Sequence, residues 1–111
     1  MRHFIRPVAR DDIVRQFRYY LLVAEAPEAG LRFVDAVDET IRAICATPLV
    51  GAPKQLRNPI LSGLRSWAVK GFKGILVFYV VEPDCVRIVR VLHGRRDIKK
   101  ILEREKDDEV H

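Results

Sequence analysis

The longest unbroken apolar run, Ile75 to Val81, is seven residues, far short of the roughly 20 a membrane-spanning helix needs. The basic start Met1-Arg2-His3-Phe4-Ile5-Arg6-Pro7 lacks the apolar stretch and small-residue cleavage site of a secretory leader. No membrane association is expected, and the cytoplasm is the expected compartment. Cysteine is scarce as well. Cys45 and Cys85 lie forty positions apart, and neither has a second Cys or His beside it at metal-ligand spacing. Both read as buried thiols. No Gly-rich phosphate loop, paired metal ligand or Ser/His/Asp arrangement is recognisable, so neither cofactor nor metal is expected. Low-complexity segments are absent too, and a chain with 49% hydrophobic and 32% charged residues is neither disordered nor membrane-embedded by composition.

What is present is enough for one domain. A chain of 111 residues can bury about two thirds of its unfolded surface, so residues 1–111 are read as a single domain. The net charge of +5 is unevenly placed. Residues 1–53 balance seven basic against seven acidic side chains, residues 54–100 hold eleven basic against three acidic, and residues 101–111 hold two basic against five acidic. The second half therefore makes a cationic surface suited to an acidic partner.

Hydrophobic spacing gives an α+β fold in the order βααβββα. Phe4-Ile5 is a short strand stopped by Pro7. Asp11 or Asp12 is expected to cap a helix whose apolar face is Ile13, Phe17, Tyr20, Leu21 and Ala24. Pro27 opens a second helix with Phe33, Val34, Val37, Ile41 and Ile44 inward, closed by Thr47-Pro48. After an irregular, Pro-rich connection, three strands follow: Leu64 to Lys70, Ile75 to Glu82 and Cys85 to Leu92. Asp97 is placed to cap a final helix carrying Ile98, Ile101 and Leu102. The helical hairpin is expected on one face of a small, mainly antiparallel sheet. Both faces of the central strands are apolar. Val86, Ile88 and Leu92 fall on one face of the last strand with Arg90 among them, and Val89 and Val91 on the other with Arg87. If the last helix does not cover the second face, that face is a partly apolar, basic groove that a partner fills.

The segment Arg90-Val91-Leu92-His93-Gly94-Arg95-Arg96-Asp97 gathers an imidazole and three guanidinium groups where a strand turns into a helix. Its chemistry admits two readings. In one, arginines hold phosphate while His93 moves a proton. In the other, His93 bonds locally, Gly94 supplies the turn, Asp97 caps the helix and the arginines are solvated.

Three stretches, Gly63-Leu64-Arg65-Ser66, Gly71-Phe72-Lys73-Gly74-Ile75-Leu76-Val77-Phe78-Tyr79 and Val89-Arg90-Val91-Leu92-His93-Gly94-Arg95-Arg96-Asp97, resemble in order and spacing the second half of ParE toxins, of the RelE/ParE superfamily of bacterial toxin–antitoxin systems. The resemblance extends over residues 1 to about 103, and the acidic end, from about residue 104, falls outside it and reads as a frayed tail. The resemblance implies a plasmid-stabilising, growth-arresting toxin that binds DNA gyrase and is not itself an enzyme. It further implies a ParD-like antitoxin forming a hetero-oligomer with it, and contact with nucleic acid only through that antitoxin. The residues expected to face this partner are Arg65, Trp67, Arg87, Arg90, Arg95 and Arg96. The superfamily's other activity, ribosome-dependent mRNA cleavage, would use His93 as acid-base group with Arg65, Arg90 and Arg95 around the phosphate. Charge alone would also suit a non-toxic nucleic-acid-binding module.

Overall fold

A computed structural model describes residues 1–108. Strand β1 (Arg2–Ile5) leads into helix α1 (Pro7–Arg18), which continues as a π-helical turn over Tyr19–Val23. Helix α2 (Pro27–Ala46) follows, then β2 (Ala52–Pro53), β3 (Arg65–Ala68), β4 (Ile75–Val81), β5 (Cys85–His93) and helix α3 (Ile98–Glu103). The five strands form one sheet in the order β1-β5-β4-β3-β2. Every neighbouring pair is antiparallel except β1 with β5, which is parallel. The expected βααβββα order holds, with one addition. Ala52 and Pro53 pair with Ser66 and Arg65, a two-residue strand too short to show periodicity, in which Pro53 is tolerated at a sheet edge. No helix among the described residues is long and apolar enough to cross a membrane.

Local chemistry explains where the helices begin. Helix α1 starts at Pro7, whose fixed φ and missing N–H suit the first helical position, and not at a cap formed by Asp11 or Asp12. Asp12 consequently lies inside the helix, where it is buried. Pro27 opens α2 in the same way, and Asp97 caps α3 by accepting the Lys100 N–H at 3.2 Å. At the end of α1 the Ala24 N–H reaches back five residues to the Tyr19 carbonyl at 3.0 Å. This wider turn inserts an extra residue into the helical period. Leu21 and Ala24, expected on the apolar face, are therefore exposed, and Leu22 and Val23 are 75% and 70% exposed. On α2 the inward side chains are Phe33, Val37, Ile41 and Ile44, while Val34, also expected inward, is turned outward.

Two cores sandwich the sheet. On the helical side, Ala9 and the inward residues of α2 pack on Ile75, Val77, Tyr79, Val86, Ile88 and Val91. On the opposite side Phe78, Val80, Val89 and Leu92 are covered by Leu61, Leu64 and the α3 residue Leu102, with Leu56, Ile60, Ile98 and Ile101 around them. The second face is thus closed within the chain, which removes the basis for an open apolar groove. The face assignments along β5 also differ from simple alternation. A bulge sits between two ladder pairs, Tyr79 with Ile88 and Phe78 with Arg90, leaving Val89 as the extra residue. Past a bulge the alternation shifts by one. Leu92 therefore joins the second core and Val91 the first, and Arg90 faces the same side as Arg87, beside Phe78 and Val80 respectively.

Asn58 fastens α3 over the second core. Its side-chain N–H donates to the carbonyls of Leu102 at 3.0 Å and Glu105 at 2.8 Å, while the Glu103 carboxylate accepts the N–H groups of Arg57 and Asn58. Across the sheet, the Tyr79 hydroxyl accepts the Gly51 N–H and donates to the Pro48 carbonyl, both at 2.8 Å. A Cβ at Gly51 would meet Tyr79 Cε1 at 2.8 Å and the Ser66 carbonyl at 2.9 Å, so only glycine allows this approach. Tyr79→Phe leaves two backbone groups without partners and is expected to destabilise the fold by about 1–3 kcal/mol, measurable by urea unfolding.

Candidate functional site

The strand-to-helix segment that carries the charge is held open by a close backbone contact. Gly94 donates its N–H to the Gly74 carbonyl at 2.6 Å, and Gly74 has φ +90°, a left-handed conformation that favours glycine. The His93 ring lies against this glycine, since a Cβ there would fall 2.9 Å from His93 Cε1. His93 Nδ1 accepts the Arg95 backbone N–H at 3.1 Å, so the neutral ring carries its proton on Nε2. Beside it opens a cleft of about 500 Å3, lined by the cations Arg15, Lys73 and Arg95 and the aromatic rings of Tyr19, Tyr20 and Phe72. Among the described residues no carboxylate lines it, so its charge is positive and suits an anion.

The structure separates the residues grouped by sequence. Only His93 and Arg95 share the cleft. Arg65 is at the other end of the sheet, donating through Nη1 to the carbonyls of Gly51 at 2.8 Å and Leu49 at 3.2 Å. Trp67 is 39% exposed on β3, and Arg95 and Arg96 are exposed. The four groups His93, Arg65, Arg90 and Arg95 thus do not converge on one phosphate position. Among the described residues, no carboxylate hydrogen-bonds to His93.

Arg90 departs furthest from expectation. It was expected to face a partner, yet it is 8% exposed, because an internal network needs it. Its Nε and Nη2 donate to the two Asp12 oxygens at 2.7 and 2.8 Å, and its Nη1 to Glu105. The same Asp12 accepts the Val91 N–H at 3.0 Å, and Arg15 approaches it at 3.6 Å. A planar guanidinium on a carboxylate fork is the geometry that makes a buried charge tolerable. The Asp12 hydrogen bond above all pushes the Arg90 guanidinium upward despite its burial.

Of the acidic end read as a frayed tail from about residue 104, residues 105–108 are held by hydrogen bonds and ion pairs, and residues 109–111 lie outside the described residues. Beyond Glu105, residues 106–108 lie on Arg6 and Arg87. Arg6 donates to both Asp108 oxygens at 2.8 and 3.1 Å, to Glu105 at 3.2 Å and to the Lys106 carbonyl at 2.9 Å. Burial would lower the Arg6 pKa, but the hydrogen bonds and charges of Asp108 and Glu105 outweigh it. Arg87 reaches Asp107 at 3.3 Å and Glu82 at 3.7 Å. Sequence reasoning did not find Arg15, Tyr19 and Lys73 around the cleft, nor Arg6, Asp12, Glu105 and Asp108 in the network. One signal for the network was available: Ala9, Asp12 and Ile13 fall at helical spacing on one face, and an inward carboxylate needs a cation.

The family model of the ParE toxin of type II toxin-antitoxin system, parDE, matches residues 4–98. Among solved structures, the chain is similar to the chromosomal ParDE TA system from P. aeruginosa, with a TM-score of 0.66 at 19% sequence identity over 84% of this chain and 95% of that one. Likeness at that identity speaks for the fold. No curated protein matches the chain. Together the family match and the fold define the toxin component of a type II toxin–antitoxin system. Within that class, the chain belongs to the ParE toxin family.

Two outcomes follow from the network. Asp12→Ala leaves the buried Arg90 guanidinium with Glu105 alone and is expected to cost about 3–5 kcal/mol in urea unfolding, whereas Asp12→Leu combined with Arg90→Met, which removes both charges, loses less. The Arg6 hydrogen bond holds the Asp108 carboxyl below the usual carboxylate range. A depressed folded pKa contributes stability above the unfolded value and loses it as pH falls through the folded one. Tail docking by Asp108 should therefore persist at pH about 4, the ordinary carboxylate value, and be lost on further acidification, with the Asp108 carboxyl titrating by NMR below that value.

Proposed function

We propose that the chain, acting as one domain in the cytoplasm, inhibits DNA gyrase, arrests growth, and is held inactive by a cognate ParD-like antitoxin. The observation that carries this reading is the ParE family match over residues 4–98. The surface offered to the antitoxin comprises the exposed Arg95, Arg96 and Trp67 with the partly exposed Arg65 and Arg87, while Arg90 acts from inside by holding Asp12 and Glu105. Expression without the antitoxin should arrest growth with signs of DNA damage, and purified protein should inhibit gyrase supercoiling until antitoxin is added. Unimpaired supercoiling at saturating protein would end the gyrase reading.

A second reading, ribosome-dependent mRNA cleavage, has the cationic cleft beside His93 in its favour. Against it stands the absence of a paired acid or base on that ring among the described residues, since general acid–base work needs a tuned partner. Codon-positioned mRNA cleavage on ribosomes, lost in His93→Ala, would establish it.

A further inference from the structure

The eleven basic residues of the second half do not share one fate, and the way the acidic end lies on some of them points to a binding site. Glu105 belongs to the framework. Its side chain is only 10% exposed and sits between Arg6 and Arg90, and its carbonyl is held by Asn58. From Lys106 onward the attachment changes character. Asp108 and Asp107 have side chains 35% and 70% exposed, and they are held by Arg6 and Arg87. The pair of the exposed Asp107 with Arg87 is of the kind that contributes about 0–1 kcal/mol, and the Asp108 fork on Arg6 can be exchanged for an equal fork from another carboxylate at little net cost.

What lies beneath it is built. With the tail in place the Arg6 side chain is 5% exposed and that of Arg87 19%; apart from the tail, Glu105 and the Val89 carbonyl hold Arg6 and Glu82 holds Arg87. Their acceptor set is also incomplete. Among the described residues no acceptor reaches the buried Arg87 Nε, and its two ion pairs, at 3.3 and 3.7 Å, are longer than the 2.7–2.9 Å of a good charge-assisted hydrogen bond. A buried guanidinium N–H without an acceptor is unfavourable. A carboxylate approaching side-on could accept from Nε and Nη together, as Asp12 does from Arg90 and Asp108 from Arg6.

We propose that Arg6 and Arg87 form a docking site for two carboxylates of an acidic segment of a partner protein, and that Asp107 and Asp108 occupy it as a displaceable stand-in. The chain's own tail shows the chemistry that fits: an extended run with adjacent acidic side chains. The inference rests on the toxin–antitoxin reading only for the partner's identity. A peptide is favoured over a nucleic-acid backbone because Arg6 also donates to the Lys106 carbonyl at 2.9 Å, an acceptor that a peptide backbone supplies beside its carboxylate. The tail then sets the threshold for capture, since a partner must outcompete it.

The experiment needs neither gyrase nor antitoxin, so its failure is separable from failure of the toxin reading. Full-length protein and its Asp107→Asn/Asp108→Asn variant are titrated with a hexaglutamate peptide at low salt, following the arginine Nε–H signals by NMR. Peptide should shift the Arg6 and Arg87 signals in both proteins and bind the variant about three- to tenfold tighter, the gain expected from removing two competing ion pairs. Adding Arg87→Gln to that variant should remove most of the gain; Asp107→Asn alone should show part of it. Equal affinity for both proteins would overturn the proposal, as would shifts confined to Lys73, His93 and Arg95. A short DNA strand showing the same gain would overturn it in favour of a nucleic-acid surface.

Discussion

Strand β5 runs for nine residues and its parallel neighbour β1 for four, so pairing on that side stops at Ile88, whose carbonyl accepts the Arg6 N–H. Beyond it the edge of β5 would present unpaired backbone groups inside the molecule, at a cost comparable to a lost hydrogen bond each. Asp12 resolves this constraint. Launched by Pro7, α1 runs along the exposed edge and brings one carboxylate to the Val91 N–H and the Arg90 guanidinium together. Removing either charge leaves the other buried, which is why the pair belongs to the framework and cannot double as a surface for a partner.

From that pair the disposition of positive charge follows. Arg90 spans from Asp12 on the helical side to Glu105 on the other, and Glu105 in turn orients Arg6. The acidic end is thereby led across the sheet, where it answers part of the cationic excess of residues 54–100. Part of the charge left outward is at the far end of β5, around His93 and the exposed Arg95, Lys73 and Arg15. Among the described residues, the cations Arg6, Arg87 and Arg90 are thus met by acidic side chains, and those around His93 are not.

Much of this was legible in one sequence because the relevant signals are local. Pro27 and Asp97 mark helix starts through their own backbone chemistry, and the seven apolar residues of β4 announce a strand buried on both faces. The His93-Gly94-Arg95-Arg96-Asp97 ending identified the family. The errors share a cause of another kind. Leu21 and Ala24 left the apolar face because a single wider turn follows Arg18. Leu92 and Arg90 changed sides because Val89 bulges opposite Phe78 and Tyr79. Each is a one-residue insertion in a period, invisible to a pattern that assumes the period constant.

By itself, the sequence determined the class of fold, the order of its elements, the family and the uneven distribution of charge, since propensity, periodicity and spacing act over a few residues. Only the tertiary structure decided which charges meet. Asp12 and Arg90 are 78 positions apart, and Arg6 and Asp108 are 102 apart. Whether an arginine faces a partner or a carboxylate of its own chain depends on where the sheet ends and which edge remains to be satisfied. Those are properties of the assembled sheet, and no local stretch of residues carries them.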